Sequence, residues 1–163
     1  MNAFFKTFEE IETAAEQCRQ HLKLGIDTPL LQIGEVLEDA GVVIARHVVK
    51  SKKVDTFSHY GGGMTIILPN QEIQSGPRWN FDMAHELGHL VMHRRMLTGT
   101  VETERAANRF AGAFLIPRRA FEPEFQAESF SWRHVYKLKI RWQMRAAAIV
   151  RRAYDLRVFG AVE

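Results

Sequence analysis

The segment His85-Glu86-Leu87-Gly88-His89 constrains the chain more than any other, because it sets two imidazoles and a carboxylate inside an apolar run from Phe81 to Met92. A helix turns about 100° per residue, so His85 and His89 share one face, one turn apart, and can grip a single cation together. Glu86 lies about 100° further round, beside such an ion, where a carboxylate can take a proton from a metal-bound water. Ala84, Leu87, Leu90 and Val91 cover most of the remaining circumference, so the helix is expected to be buried nearly all round. Without partners, each polar group there would cost about 1–3 kcal/mol, and a charge more. A shared divalent cation removes much of that cost, and the spacing is that of a zinc-dependent hydrolase.

The 163 residues, 46% of them hydrophobic, supply one core and leave no room for a second domain of ordinary size. We read residues 1–163 as one α+β domain, mainly helical and zincin-like. It has N-terminal helices over 1–41, a small three-stranded, mostly antiparallel sheet over 42–68, metal-site helices over 77–117 and a basic helical cap over 118–163. The single cysteine, Cys18, excludes an internal disulfide and a cysteine-rich zinc cage, and points to a cytoplasmic compartment. No uncharged apolar run reaches the ~18 residues of a membrane span, and no signal peptide is visible. The net charge of +3 is unevenly placed: residues 1–40 hold eight acids against three bases, and residues 131–157 eight Lys/Arg against one Asp. That asymmetry marks a basic face, read most simply as solvated and more sharply as a dock for an acidic protein partner.

Along the chain, Phe4, Phe8, Ile11, Ala15, Cys18 and Leu22 trace the stripe of an amphipathic helix whose other face is acidic. Cys18 reads as a small buried hydrophobe. Thr28-Pro29 has the form of a helix start, with Leu30, Ile33, Leu37 and Ala40 as the buried stripe and Gly41 as the stop. Strands are expected over 42–49, 54–60 and 64–68, turning at Gly61-Gly62-Gly63 as a meander. No nucleotide-binding context surrounds those glycines. A polar loop over 70–76 leads to Pro77, which opens the motif helix. A further helix begins near Val101 and ends at Ile116-Pro117, since a residue before proline avoids the helical region.

A catalytic zinc site needs a third protein ligand. His93 shares the histidine face but lies about 12 Å along the axis from His85, too far to share an ion, and reads as a cleft-wall or structural residue. Glu102 and Glu104 differ by about 200° around a helix, so only one can point at the ion. Glu104 is the better choice, because Asn108 then follows one turn later, placed to hydrogen-bond a ligand histidine from behind. Glu102 is left facing solvent.

The stretch from Arg78 through Phe81, Ala84, His85, Glu86, Leu87, Gly88 and His89, then Glu104, Ala107, Asn108, Phe110 and Ala111, then Phe114-Leu115-Ile116-Pro117, closely resembles the ImmA/IrrE family of bacterial metallopeptidases. The family pattern R-x-x-F-x-x-A-H-E-L-G-H, E-x-x-A-N-x-F-A and an apolar run closing on Pro stands here in order. The resemblance implies His85, His89 and Glu104 as metal ligands, Glu86 as general base, and zinc, or manganese, as the ion. It also implies a protein substrate, a helix-turn-helix repressor that is cut or displaced. Many relatives carry an N-terminal DNA-binding domain, for which no room precedes Thr28, so specific DNA binding by this chain is not expected.

Two other readings remain open on the sequence. One is a metal-stabilised regulator acting by contact alone. The other is a nucleic-acid module built on Trp132, Val135, Leu138, Trp142, Ala146, Ile149 and Val150, turning near Gln143, with Lys137, Lys139, Arg141, Arg145, Arg151 and Arg152 as its basic face. Those apolar residues read more simply as a cap on the core. His59, Tyr60, His134 and Tyr136 are candidates to stabilise an oxyanion, and nothing in the sequence selects among them.

Overall fold

The computed structural model describes residues 7–45, 57–69, 76–94 and 98–159. The elements run α1 (Phe8–His21), α2 (Ile33–Asp39), β1 (Val42–Ile44), β2 (Phe57–Gly61), β3 (Met64–Leu68), α3 (Gly76–Met92), α4 (Val101–Leu115), α5 (Arg118–Gln126), α6 (Trp132–Trp142) and α7 (Ala146–Leu156). The fold is α+β, with the motif helix α3 laid against α4 at its centre. On α4, Ala107, Phe110, Ala111 and Phe114 are fully buried, as their spacing predicts. Gly88 sets the approach of the two helices: a Cβ there would lie 3.1 Å from Phe110 Cδ1. The small residue that admits the neighbour is therefore on α3, and Phe110 lies over its bare backbone. Thr100 starts α4, its hydroxyl accepting from Thr103 N at 3.2 Å while Thr103 Oγ1 accepts from Thr100 N at 3.1 Å.

The sheet is mixed, which corrects the expected meander. β3 is central; β1 runs parallel to it, with Val43 opposite Ile66, and β2 antiparallel, with His59 opposite Ile66. β3 is hydrogen-bonded along both edges, and its Ile67 is fully buried. β2, carrying Ser58, His59 and Tyr60, suits an edge. The rest of the expected strands, 46–49 and 54–56, and most of the expected loop at 70–75 lie outside the described residues, as does Phe4.

Thr28-Pro29 does not begin a helix; α2 starts at Ile33. Tertiary hydrogen bonds override the local signal. Arg19 Nη2 donates to the Thr28 carbonyl at 2.8 Å, and Asn80 Nδ2 donates to the Leu30 and Leu31 carbonyls at 3.2 Å each. Those backbone carbonyls accept from buried side chains of α1 and α3, and the segment stays extended.

α1 buries Ile11 and Ala15 as expected, but Glu12 and Arg19 are also inside, at 2% and 0% exposure. Burial pushes the Cys18 thiol up to about 11, which fits its reading as packing. At the other end, Val135, Leu138, Trp142 and Ile149 join the core as a cap, whereas Trp132 is 63% exposed. No helix among the described residues is long and apolar enough to cross a membrane.

Candidate metal centre

α3 is buried along most of its length, including Asn80, Met83, Ala84, Glu86, Leu87, Gly88 and His89, while Val91 reaches solvent. Its two motif histidines face α4. His85 Nε2 and His89 Nε2 lie 3.0 Å apart, and the Glu104 carboxylate approaches them at 3.1 and 3.3 Å. Zinc bonds of about 2.0–2.2 Å in a tetrahedron set ligand atoms about 3.3–3.5 Å apart, so this triangle is close to the size that one ion spans. Glu102, by contrast, is exposed, as the half-turn argument requires.

The remaining ring nitrogens are held by polar partners. His85 Nδ1 is 3.0 Å from Asn108 Oδ1. An amide oxygen only accepts, so Nδ1 is the donor of that bond. His89 Nδ1 sits 3.0 Å from Nδ1 of His93, which is itself buried. His93 therefore stands behind a motif histidine and does not wall a cleft. Burial, followed by the neighbouring His85, lowers the His89 pKa to about 4, so its ring is neutral near pH 7. His85 Nε2, His89 Nε2 and the Glu104 carboxylate then face one another across one small space, an arrangement that a shared cation would satisfy. Among the described residues, the grouping that could hold a metal is His85, His89 and Glu104.

Glu86 is 6% exposed. Burial raises its pKa above the ordinary carboxylate value, and a side-chain hydrogen bond from Ser58 and the nearby His85 oppose that rise. Ser58 belongs to β2, the edge strand lying on α3, and no feature of its own neighbourhood in the sequence marks it as a partner of Glu86. The Arg94 guanidinium stacks 3.4 Å over the Tyr60 ring and pins the same strand to the end of α3.

The other oxyanion candidates do not gather here. His134 is buried on α6 with Nε2 3.1 Å from the Phe125 carbonyl, and Tyr136 is exposed on the same helix. The basic segment also divides: Lys137 pairs with Glu128 and Arg141 with Glu124, while Arg152 is buried, 3% exposed, and binds Glu12. Arg152 thus leaves the expected basic face, because its charge closes the core between α1 and α7. Gln143 does turn the chain between α6 and α7, in the left-handed region at φ 53°, without the glycine such a turn favours.

A family model described as Peptidase_M78, IrrE N-terminal-like domain, matches residues 37–154. The chain belongs to this family. The match covers both Peptidase_M78 helices that form the centre and ends within α7. A solved structure of a Mycobacterium tuberculosis transcriptional regulator has the same fold, with a TM-score of 0.65 at 19% identity over 93% of this chain. The chain spans about half of that protein, 49% of its length. A search of curated proteins gave no match. For a Peptidase_M78 chain, the triangle of His85, His89 and Glu104 beside a buried Glu86 is an arrangement suited to metal-assisted hydrolysis.

If Asn108 orients His85, Asn108→Ala is expected to leave the ion bound but weaken it by about 10–100-fold. Competition with a chromophoric chelator measures this. An unchanged affinity would return Asn108 to helix packing.

Proposed function

We propose that this chain is a zinc-dependent endopeptidase whose substrate is a helix-turn-helix transcriptional repressor. His85, His89 and Glu104 hold the ion in this reading, Asn108 supports His85, and Glu86 is the general base. The observation that carries it is the convergence of His85 Nε2, His89 Nε2 and the Glu104 carboxylate within 3.0–3.3 Å of one another, with Glu86 buried next to them.

A bound zinc ion supplies Lewis-acid polarisation of the scissile carbonyl and acidifies a coordinated water; manganese offers the same chemistry. The protein's part begins with Glu86, whose carboxylate takes the proton of the attacking water and delivers it to the departing amine. Its raised pKa makes it a stronger base than an exposed carboxylate, while the Ser58 bond holds the group in place. Asn108 and His93 hold the rings of His85 and His89 through their Nδ1 atoms, which leaves both Nε2 atoms turned towards Glu104.

The repressor is supported by the resemblance to the ImmA/IrrE pattern. Purified protein is expected to contain about one equivalent of zinc and to cut a helix-turn-helix repressor encoded by a neighbouring gene. Mass spectrometry of the mixture reads the fragments, which a chelator should abolish and zinc restore. Relief of repression in cells with no fragment formed would favour a regulator that works by contact.

A further inference from the structure

Beside the metal centre, on the Asn108 side of His85, the surface is grooved. Between α4 and α7 lies a cavity of about 360 Å³ whose inner end is lined by Asn108, the partner of His85, and by Phe81, one turn before His85 on α3. Its walls are arginines: Arg105 and Arg109 from α4 and Arg151 from α7, all exposed. Its floor is apolar, formed in part by the buried Ile116 and Met144. A second cavity of about 600 Å³ shares Arg109 and Asp155 with the first, so the two run on as one trough towards Glu9 at the start of α1, past Arg157.

The charges in this trough do not balance. Asp155 is held by Arg151 at 3.0 Å, and Glu9 by Arg118 at 2.7 Å. Among the described residues, no ion pair engages Arg105, Arg109 or Arg157. Two of these lie on successive turns of α4, on the flank adjoining Glu104 and Asn108.

We propose that the trough is a substrate-recognition groove for an acidic, extended segment of the protein substrate, with Asp or Glu side chains against Arg105 and Arg109 and an apolar side chain on Ile116 and Met144. This rests on the peptidase reading and names the class of sequence that it would select. Arginines set along two adjoining cavities match a run of acidic side chains better than one compact anion. The apolar floor gives a side chain somewhere to bury, which a nucleic-acid backbone does not use. Arginine is suited to the role, since its planar fork binds a carboxylate with two parallel hydrogen bonds.

The test uses the zinc-loaded full chain, wild type and Glu86→Gln in parallel, so that binding is read with and without the catalytic base. The probes are two fluorescein-labelled peptides with the same central leucine, one flanked by glutamates and the other by glutamines. Anisotropy is expected to show the glutamate peptide binding at least about tenfold more tightly at low salt, with the preference shrinking as salt rises. The pair Arg105→Gln with Arg109→Gln, and separately Arg109→Glu, should erase that preference while metal content and melting temperature stay at the parent values. Equal binding of the two peptides, or a preference that survives both variants, overturns the groove. So does tighter binding of inorganic phosphate or duplex DNA with the same arginine dependence. An arginine-dependent preference without any cleavage by wild type would keep the groove and remove the peptidase; cleavage with no charge preference would do the reverse.

Discussion

Glu86→Gln is expected to lower repressor cleavage by about 10²–10⁴-fold, the usual contribution of a positioned general base, while the fold and the metal remain. Gln has nearly the volume of Glu and can still hydrogen-bond Ser58 and a water, but its amide cannot accept a proton at neutral pH. At Glu86 the exchange removes a group that is 6% exposed, so little surface packing is disturbed. It should even relieve part of the cost of burying a carboxylate that already lies above its ordinary pKa through desolvation. Single-turnover digestion followed by mass spectrometry, with metal analysis of the same samples, separates chemistry from binding. Cleavage by the variant at the wild-type rate would take Glu86 out of the mechanism; loss of metal along with cleavage would place it in the binding of the ion instead.

The largest effect on stability is expected from Glu12→Ala. Glu12 and Arg152 are 2% and 3% exposed and meet in a bidentate pair, with Arg152 Nη2 donating to Glu12 Oε2 at 2.8 Å. Arg152 Nε also donates to the Ile116 carbonyl at 2.9 Å, so one guanidinium joins α1, the end of α4 and α7. Removing the carboxylate strands that cation in the core, and breaking a buried pair from one side typically costs about 3–5 kcal/mol. That is a large share of the ~5–15 kcal/mol that holds a domain together. Urea denaturation measures it. Glu12→Leu combined with Arg152→Met is expected to recover most of the loss, since apolar replacement of both partners removes the charge along with its desolvation cost. A Glu12→Ala variant within about 1 kcal/mol of wild type would mean that water reaches Arg152 and the pair is not what closes the core.

The pair bears on function as well as stability. Arg152 lines the same trough as Arg105 and Arg109, but its charge is spent inside on Glu12. A basic residue counted from sequence as part of a docking face can thus be structural, and the groove's selectivity falls to the arginines that have no acid of their own.

What the sequence by itself determined is whatever depends on a short repeat along one helix. The spacing of His85 and His89 places both rings on one face of α3, the alternation of Ala107, Phe110, Ala111 and Phe114 gives α4 its buried side, and the half-turn between Glu102 and Glu104 lets only one of them turn inward. Proline rules end α4 at Ile116. These are local geometric consequences of 3.6 residues per turn, and the family pattern is written in the same helices. Only the tertiary structure decided the features that need two distant segments at once. The parallel pairing of β1 with β3 joins two segments that β2 separates along the chain, and no local pattern records it. The extended path of Thr28 to Leu31 follows from Arg19 and Asn80 claiming its carbonyls, which local capping preference cannot anticipate. Burial of Glu12 and Arg152, the Ser58 contact to Glu86 and the placement of His93 behind His89 belong to the same class. Each is a polar group whose environment is set by what folds against it, and a single strand of sequence carries no record of that neighbour.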